Sequence, residues 1–225
     1  MRFAKRGVVS LILISFCAAC GARAQSQASQ TEVKSFVTQY VAAFNAKGAA
    51  RLRALQHPKS LACITAENKS FYDDLLAVHR RDPIPANYTF KASPVNENNL
   101  KALETMGWFP VKPDRELQID YQQGDDGGSI TVYLIRENGR LFDDEPCASD
   151  QTVKHYNDDA PARAERLAQD KALAAAIKEP LRSDLIALLR EHKTAEATTR
   201  YKEASGQDYP TAMFVIDLLV PEARP

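Results

Sequence analysis

Apolar residues recur at helical spacing from the third decade of the chain onward. Val33, Phe36, Val37, Tyr40, Val41 and Phe44 form one stripe, which predicts an amphipathic helix opening at Thr31 and Glu32 and broken at Gly48. Residues 49–56 continue as a second, short helix with Leu52 and Leu55 inward, stopped by Pro58. A third helical stretch covers about residues 67–78, with Phe71, Leu75 and Val78 on its inner side. The run Asp82-Pro83-Ile84-Pro85 ends it.

The period then changes from helical to alternating. Residues 88–95 place Tyr88, Phe90 and Ala92 against polar neighbours, and residues 116–122 alternate through Leu117, Ile119 and Tyr121. Between them, residues 96–106 predict a helical insertion, closed by a turn at Gly107-Trp108-Phe109-Pro110. Residues 124–128, with three glycines, read as a loop, and residues 129–136 as a strand with Ile130, Val132 and Leu134 on one face. Asn138-Gly139 is a strong hairpin signal, because its turn needs two residues tolerant of positive φ. The return strand starts at Arg140 and is expected to reach Cys147. Helices first and an antiparallel sheet second give an α+β class.

No strand pattern follows His155. Residues 160–178, 181–191, 194–204 and 209–219 read as four helices separated by Pro180, the 192–193 corner and Gly206. The chain thus divides into residues 1–24, an α+β domain over 25–155, and an all-helical region over 156–225.

Residues 1–24 have the three parts of a secretory signal. Arg2, Lys5 and Arg6 form a basic flank, residues 7–20 a short apolar run, and Ala22-Arg23-Ala24 a small-x-small site that places cleavage between Ala24 and Gln25. The apolar run falls short of the roughly 20 residues that cross a bilayer. Ala18-Ala19-Cys20 also ends like a lipoprotein box, although Cys17 stands where such boxes carry an aliphatic residue, so a lipid anchor at Cys20 is one alternative and a retained membrane anchor another. The mature chain is expected to be periplasmic or secreted.

The chain carries 29 basic and 29 acidic residues. The signal holds four of the bases and no acid, so the mature part has a formal net charge of −4. That surface offers nothing to a nucleic-acid backbone. No later apolar segment reaches membrane-spanning length. Cleavage leaves two cysteines, Cys63 and Cys147, which in an oxidising compartment most simply pair; two buried free thiols are the alternative. Neither has the Cys-x-x-Cys or nearby histidine partner of a zinc site.

The order of three helices and a curved antiparallel sheet resembles the nuclear transport factor 2-like cone fold, which includes SnoaL-like proteins and ketosteroid isomerases. Residues 37–48 (VTQYVAAFNAKG), Leu52, Leu55, Pro58 and the Glu137-Asn138-Gly139-Arg140 hairpin carry the likeness, over about residues 30–150. In the isomerases a tyrosine of the first helix donates to a developing oxyanion, and Tyr40 occupies that place. The partner acid of those enzymes corresponds to Thr131, and their general base has no counterpart in residues 58–63. Enolisation needs both a base and oxyanion donors. The resemblance therefore implies the scaffold without the isomerase machinery.

A second, shorter likeness runs through Leu188, Leu189, Glu196, Ala197, the Tyr201–Gly206 stretch, Ala212 and Ile216. It resembles the helix pair of the ribosomal stalk protein's C-terminal domain. Thr199 and Met213 stand where that family has its factor-binding lysines, so the likeness implies only a helical hairpin suited to docking an envelope partner through residues 181–219.

The chemistry-bearing residues are scattered. His57, His79, His155 and His192 show no ligand spacing, and no metal or cofactor is expected. Asp125, Asp126, Asp143, Asp144 and Glu145 lack the alternate-position acids of a calcium loop and read as solvated turns. Cys63 could act as a nucleophile only with His57 as its base, a weaker reading than the disulfide. No nucleophile elbow, phosphate loop or dinucleotide fingerprint occurs. Tyr40, Trp108, Phe109, Tyr121 and Tyr133 are the pocket candidates of a hollow cone; core packing is the alternative for each. With no catalytic residue assigned, the expected function is a non-catalytic envelope module that binds a small apolar ligand or a partner. The alternatives are an isomerase or hydrolase using Tyr40 and an acid hidden by sequence order, or a structural subunit whose cone is filled.

Overall fold

The computed structural model describes residues 29–80 and 83–224; the expected signal, its cleavage site and Cys20 lie outside the described residues. Helix α1 (Gln30–Phe44) opens on a capping box, in which Ser29 accepts from the Glu32 backbone and Glu32 accepts from the Ser29 backbone. At its other end the Arg80 guanidinium donates to the carbonyls of Phe44 and Gly48 at 2.8 and 2.7 Å, and to that of Ala46. It satisfies acceptors a helix C-terminus leaves open and meets the negative end of the dipole.

Three short helices follow: α2 (Ala50–Arg53), α3 (Pro58–Ala62) and α4 (Lys69–His79). Pro58, expected only as a stop, starts α3 as its first residue, with His57 as N-cap. A proline there loses no helical hydrogen bond. In α4 the buried residue is Tyr72, while Val78 is 73 % exposed, against the expected inner face. Tyr72 is drawn inward because its phenol oxygen receives the Ala148 N–H at 2.7 Å.

Strand β1 (Thr89–Pro94) leads through α5 (Glu97–Leu103) to a two-residue strand β2 (Gly107–Trp108), where a simple turn was expected. Strands β3 (Arg115–Gln123), β4 (Asp126–Glu137) and β5 (Arg140–Asp143) follow, and β6 (Cys147–Ala148) pairs with β2. The main sheet is antiparallel in the order β1-β3-β4-β5. The expected loop at 124–128 is only a tight turn: Gln123 pairs with Asp126, and Gly127 and Gly128 lie within β4. An added Cβ at Gly128 would strike the Tyr121 ring, so the glycine lets that ring lie across the strand. Asn138 and Gly139 both take positive φ, 51° and 77°, as the hairpin signal demands.

One sheet face carries Ala92, Leu117, Ile119, Ile130, Val132 and Leu134, and the stripe of α1 packs onto it. Val37, Leu117, Ile119 and Leu134 are fully buried. Each such side chain contributes roughly 1.5–3 kcal/mol. The α+β class is thus the architecture observed.

Beyond β6 the chain is helical: α6 (Asp150–Asp158), α7 (Ala160–Ala176), α8 (Leu181–Arg190), α9 (Thr194–Ser205), α10 (Tyr209–Asp217) and α11 (Val220–Ala223). Helix α6 lies against α4, with Phe71 and Tyr156 edge to face at 5.3 Å. Helices α7 to α11 enclose a second core around Leu185, Leu189, Ala197, Tyr201, Ala212 and Ile216. Among the described residues no helix is long and apolar enough to cross a membrane.

Candidate functional site

Cys63, at the C-terminal end of α3, is disulfide-bonded to Cys147 of β6, with Cα atoms 5.6 Å apart. The bond ties the helical corner to the β2–β6 ribbon, and a groove of about 810 Å³ opens beside it. Trp108 of β2 stands at this groove, 50 % exposed. Val153, Lys154 and Asp158 of α6 and Ala62, Cys63 and Asn68 from the α3–α4 corner are among its walls.

The position of Trp108 follows from local chemistry. Ser149 caps α6 by accepting from the Thr152 backbone at 3.1 Å, and its own N–H donates to the Met106 carbonyl at 2.9 Å. The Thr152 hydroxyl donates to the same carbonyl at 2.7 Å. Gly107 carries no Cβ where one would collide with the Cys147 carbonyl, so the ribbon closes and leaves the indole outward.

A second feature is polar and buried. Residues 55–57 run beside the end of β5: the His57 N–H donates to the Asp143 carbonyl at 2.8 Å, and the Asp143 N–H to the Leu55 carbonyl at 2.9 Å. Asp143 lies opposite Leu134 in the register and so shares the inner face, only 6 % exposed. The expectation of a solvated turn at Asp143, Asp144 and Glu145 is therefore corrected. The added 55–57 segment covers what would be a free sheet edge, so the carboxyls end inside.

Burial, followed by the charges of Glu145 and Asp144, raises the Asp143 carboxyl well above its ordinary value. Burial raises Glu145 as well, opposed by the Gln56 amide that donates to it and by Arg53. Desolvation, then the charges of Asp143 and Glu145, push the Tyr40 phenol up. Two carboxyls that resist ionisation thus sit near one phenol. One residue on, Asp144 is fully buried and accepts from the Ser60 hydroxyl at 2.7 Å. His57, 1 % exposed, places Nε2 3.2 Å from Glu137 and lies with Nδ1 3.3 Å from the Lys59 N–H.

The five aromatic candidates do not line one space. Tyr40 belongs to the core beneath α1, and Tyr121 covers the inner face near Gly128. Tyr133 points to the opposite face, where its ring meets Phe109 at 5.0 Å. Trp108 alone borders the groove. Sequence reasoning missed Gln56, Ser60 and the three acids. For Asp143 a signal existed: Leu141 faces inward, so the residue two further along the same strand does too. Among the described residues no group of three or more His, Cys, Asp or Glu side chains is placed to hold a metal. Comparison with known proteins returned no matching family model, curated protein or solved structure.

Proposed function

We propose that this chain is an exported, non-catalytic binding module on a cone-like α+β scaffold, and that its ligand seat is the groove beside Trp108. One observation carries the reading: a large indole held half exposed at a concavity within the usual size range of small-molecule sites. An exposed indole in a clamped position is poorly explained by packing, whereas an apolar ligand body would cover it. The Cys63–Cys147 disulfide supports an oxidising compartment, in line with the signal in residues 1–24. The inner face beneath α1 is filled by side chains, which supports a ligand seat outside that core.

Trp108 is the chain's single tryptophan, so its emission reports on the groove directly. Titration of the mature protein with an anilinonaphthalene sulfonate dye should quench Trp108 emission saturably and transfer energy to the dye. Val153→Arg, which fills the groove and keeps the indole, should abolish both signals. Unchanged dye binding in that variant would remove the groove from the reading. Mass spectrometry of the exported chain should find Gln25 as the first residue.

The enzyme reading is favoured by a different observation, the pair of buried carboxyls near the Tyr40 phenol. It requires substrate to reach a tyrosine that is 6 % exposed. Tyr40→Phe separates the two: dye binding persists in a binding module, while an ester-hydrolase or isomerase turnover that vanished with the hydroxyl would establish the enzyme.

A further inference from the structure

The helical region holds a polar pocket of about 450 Å³, unrelated to the Trp108 groove. It opens between the outer part of α7 and the α9–α10 turn. Asp170 of α7 lies at this pocket and is 6 % exposed, with neither a hydrogen bond nor an ion pair reaching its carboxylate among the described residues. The walls are the side chains of Gln169, Gln207, Thr211 and Glu165, with Arg166 toward one side.

The little exposure that Asp170 keeps lies at this pocket, so its carboxylate can meet a cation that enters there. The neighbouring groups are committed elsewhere. Gln169 donates to Glu165 at 3.3 Å, and the Arg166 guanidinium lies over the Phe214 ring at 5.1 Å. The nearby Tyr201 phenol is raised by its own burial, opposed by the Ser205 hydroxyl, with a smaller push from Asp170. Asp208 is already used, accepting the Thr211 N–H at 2.8 Å. Among the described residues Arg166 lines the pocket without pairing with Asp170, which leaves the carboxylate to a smaller cation.

We propose that this pocket binds a small organic cation, its ammonium or guanidinium head seated on Asp170 and its polar body against Gln169, Gln207 and Thr211. An ammonium gives three donors and no acceptor, which matches a carboxylate floor that only accepts. A charge-assisted bond in a recessed site is screened by salt less than a surface pair, so binding should survive physiological ionic strength.

The test uses the full mature chain with putrescine and methylguanidinium as probes and succinate as the anionic control, followed by amide chemical shifts. Shifts confined to residues 162–173 and 207–211, saturating with the cations and absent with succinate, are expected. Asp170→Asn should weaken binding by about tenfold or more. The wild-type shift map decides even if that variant folds poorly. Cation-induced shifts spread over the surface, equal binding of succinate, or an Asp170→Asn variant that folds and binds unchanged would overturn the proposal.

Discussion

Asp126 caps a helix to which it does not belong: its Oδ1 accepts the Thr194 N–H at 3.0 Å, across 68 residues of sequence. The Thr194 hydroxyl and the Arg224 guanidinium also donate to Oδ2, at 2.7 and 2.8 Å. Helix α9 needs this help, since its own N-cap, Lys193, makes no side-chain cap bond. The same hairpin tip donates the Asp125 and Asp126 N–H groups to the His192 carbonyl, both at 3.1 Å. An added Cβ on Gly124, at φ +61°, would approach the Glu191 carbonyl to 2.6 Å. The β3–β4 turn is thus the joint between the sheet and the helical region, where a solvated loop was expected.

Asp126→Ala should cost about 1–2 kcal/mol for the cap, and more for the partly buried ion pair it deletes. Asp126→Asn keeps an oxygen for the Thr194 N–H and should lose less. Urea unfolding measures both, and amide exchange should rise at residues 194–197 ahead of the rest of the chain.

The carboxyl pair at Asp143 and Glu145 sets a pH dependence with a definite sign. Both acids are raised on folding, so the native state keeps protons that the unfolded chain has released. Their contribution is fully present below about pH 4, the ordinary carboxylate range, and is lost as pH rises through the raised native values. Asp143→Asn removes the burden of ionising there. Its stability relative to the wild type should improve steadily from acid to alkaline pH, as read from urea midpoints. A gap between the two proteins that stayed constant with pH would contradict the assignment.

The Cys63–Cys147 bond closes a loop across a sequence separation of 84 residues. In the chain-entropy account such a loop stabilises by about 4–5 kcal/mol. Reduction, or the pair of changes Cys63→Ser and Cys147→Ser, should lower the urea midpoint correspondingly. It should also free the β2–β6 ribbon, so Trp108 emission should shift before global unfolding.

Ser60 supplies the hydrogen bond to Asp144, whose second oxygen has no hydrogen-bond partner among the described residues. Ser60→Ala should cost about 1–3 kcal/mol, because it leaves a buried carboxyl unsatisfied. Burial already raises this acid, opposed by Ser60, His57 and Lys59, so loss of the hydroxyl should raise it further. In an Asp144→Ala background the same change should cost less, the signature of a coupled pair.

Elements whose sequence pattern states their own burial were legible. The α1 stripe, the alternation of β3 and β4, the Asn138-Gly139 turn and the four tail helices needed only local periodicity and turn chemistry. The disulfide followed from having two cysteines outside residues 1–24. Trp108 was picked out as an aromatic, but not as the wall of a surface groove, because that depends on the Met106 carbonyl being clamped by α6. The acids at 143–145 carried the composition of a solvent turn, and only the packing of residues 55–57 against β5 reversed it.

Local sequence determined the class of this protein, since helix and strand periods and φ-tolerant residues act within a few positions along the chain. Tertiary structure decided which polar groups are buried, which aromatic faces solvent and which aspartate caps a distant helix. Those outcomes depend on which segments meet across tens of residues, and a charged side chain reads the same in sequence whether its neighbour in space is water or another strand.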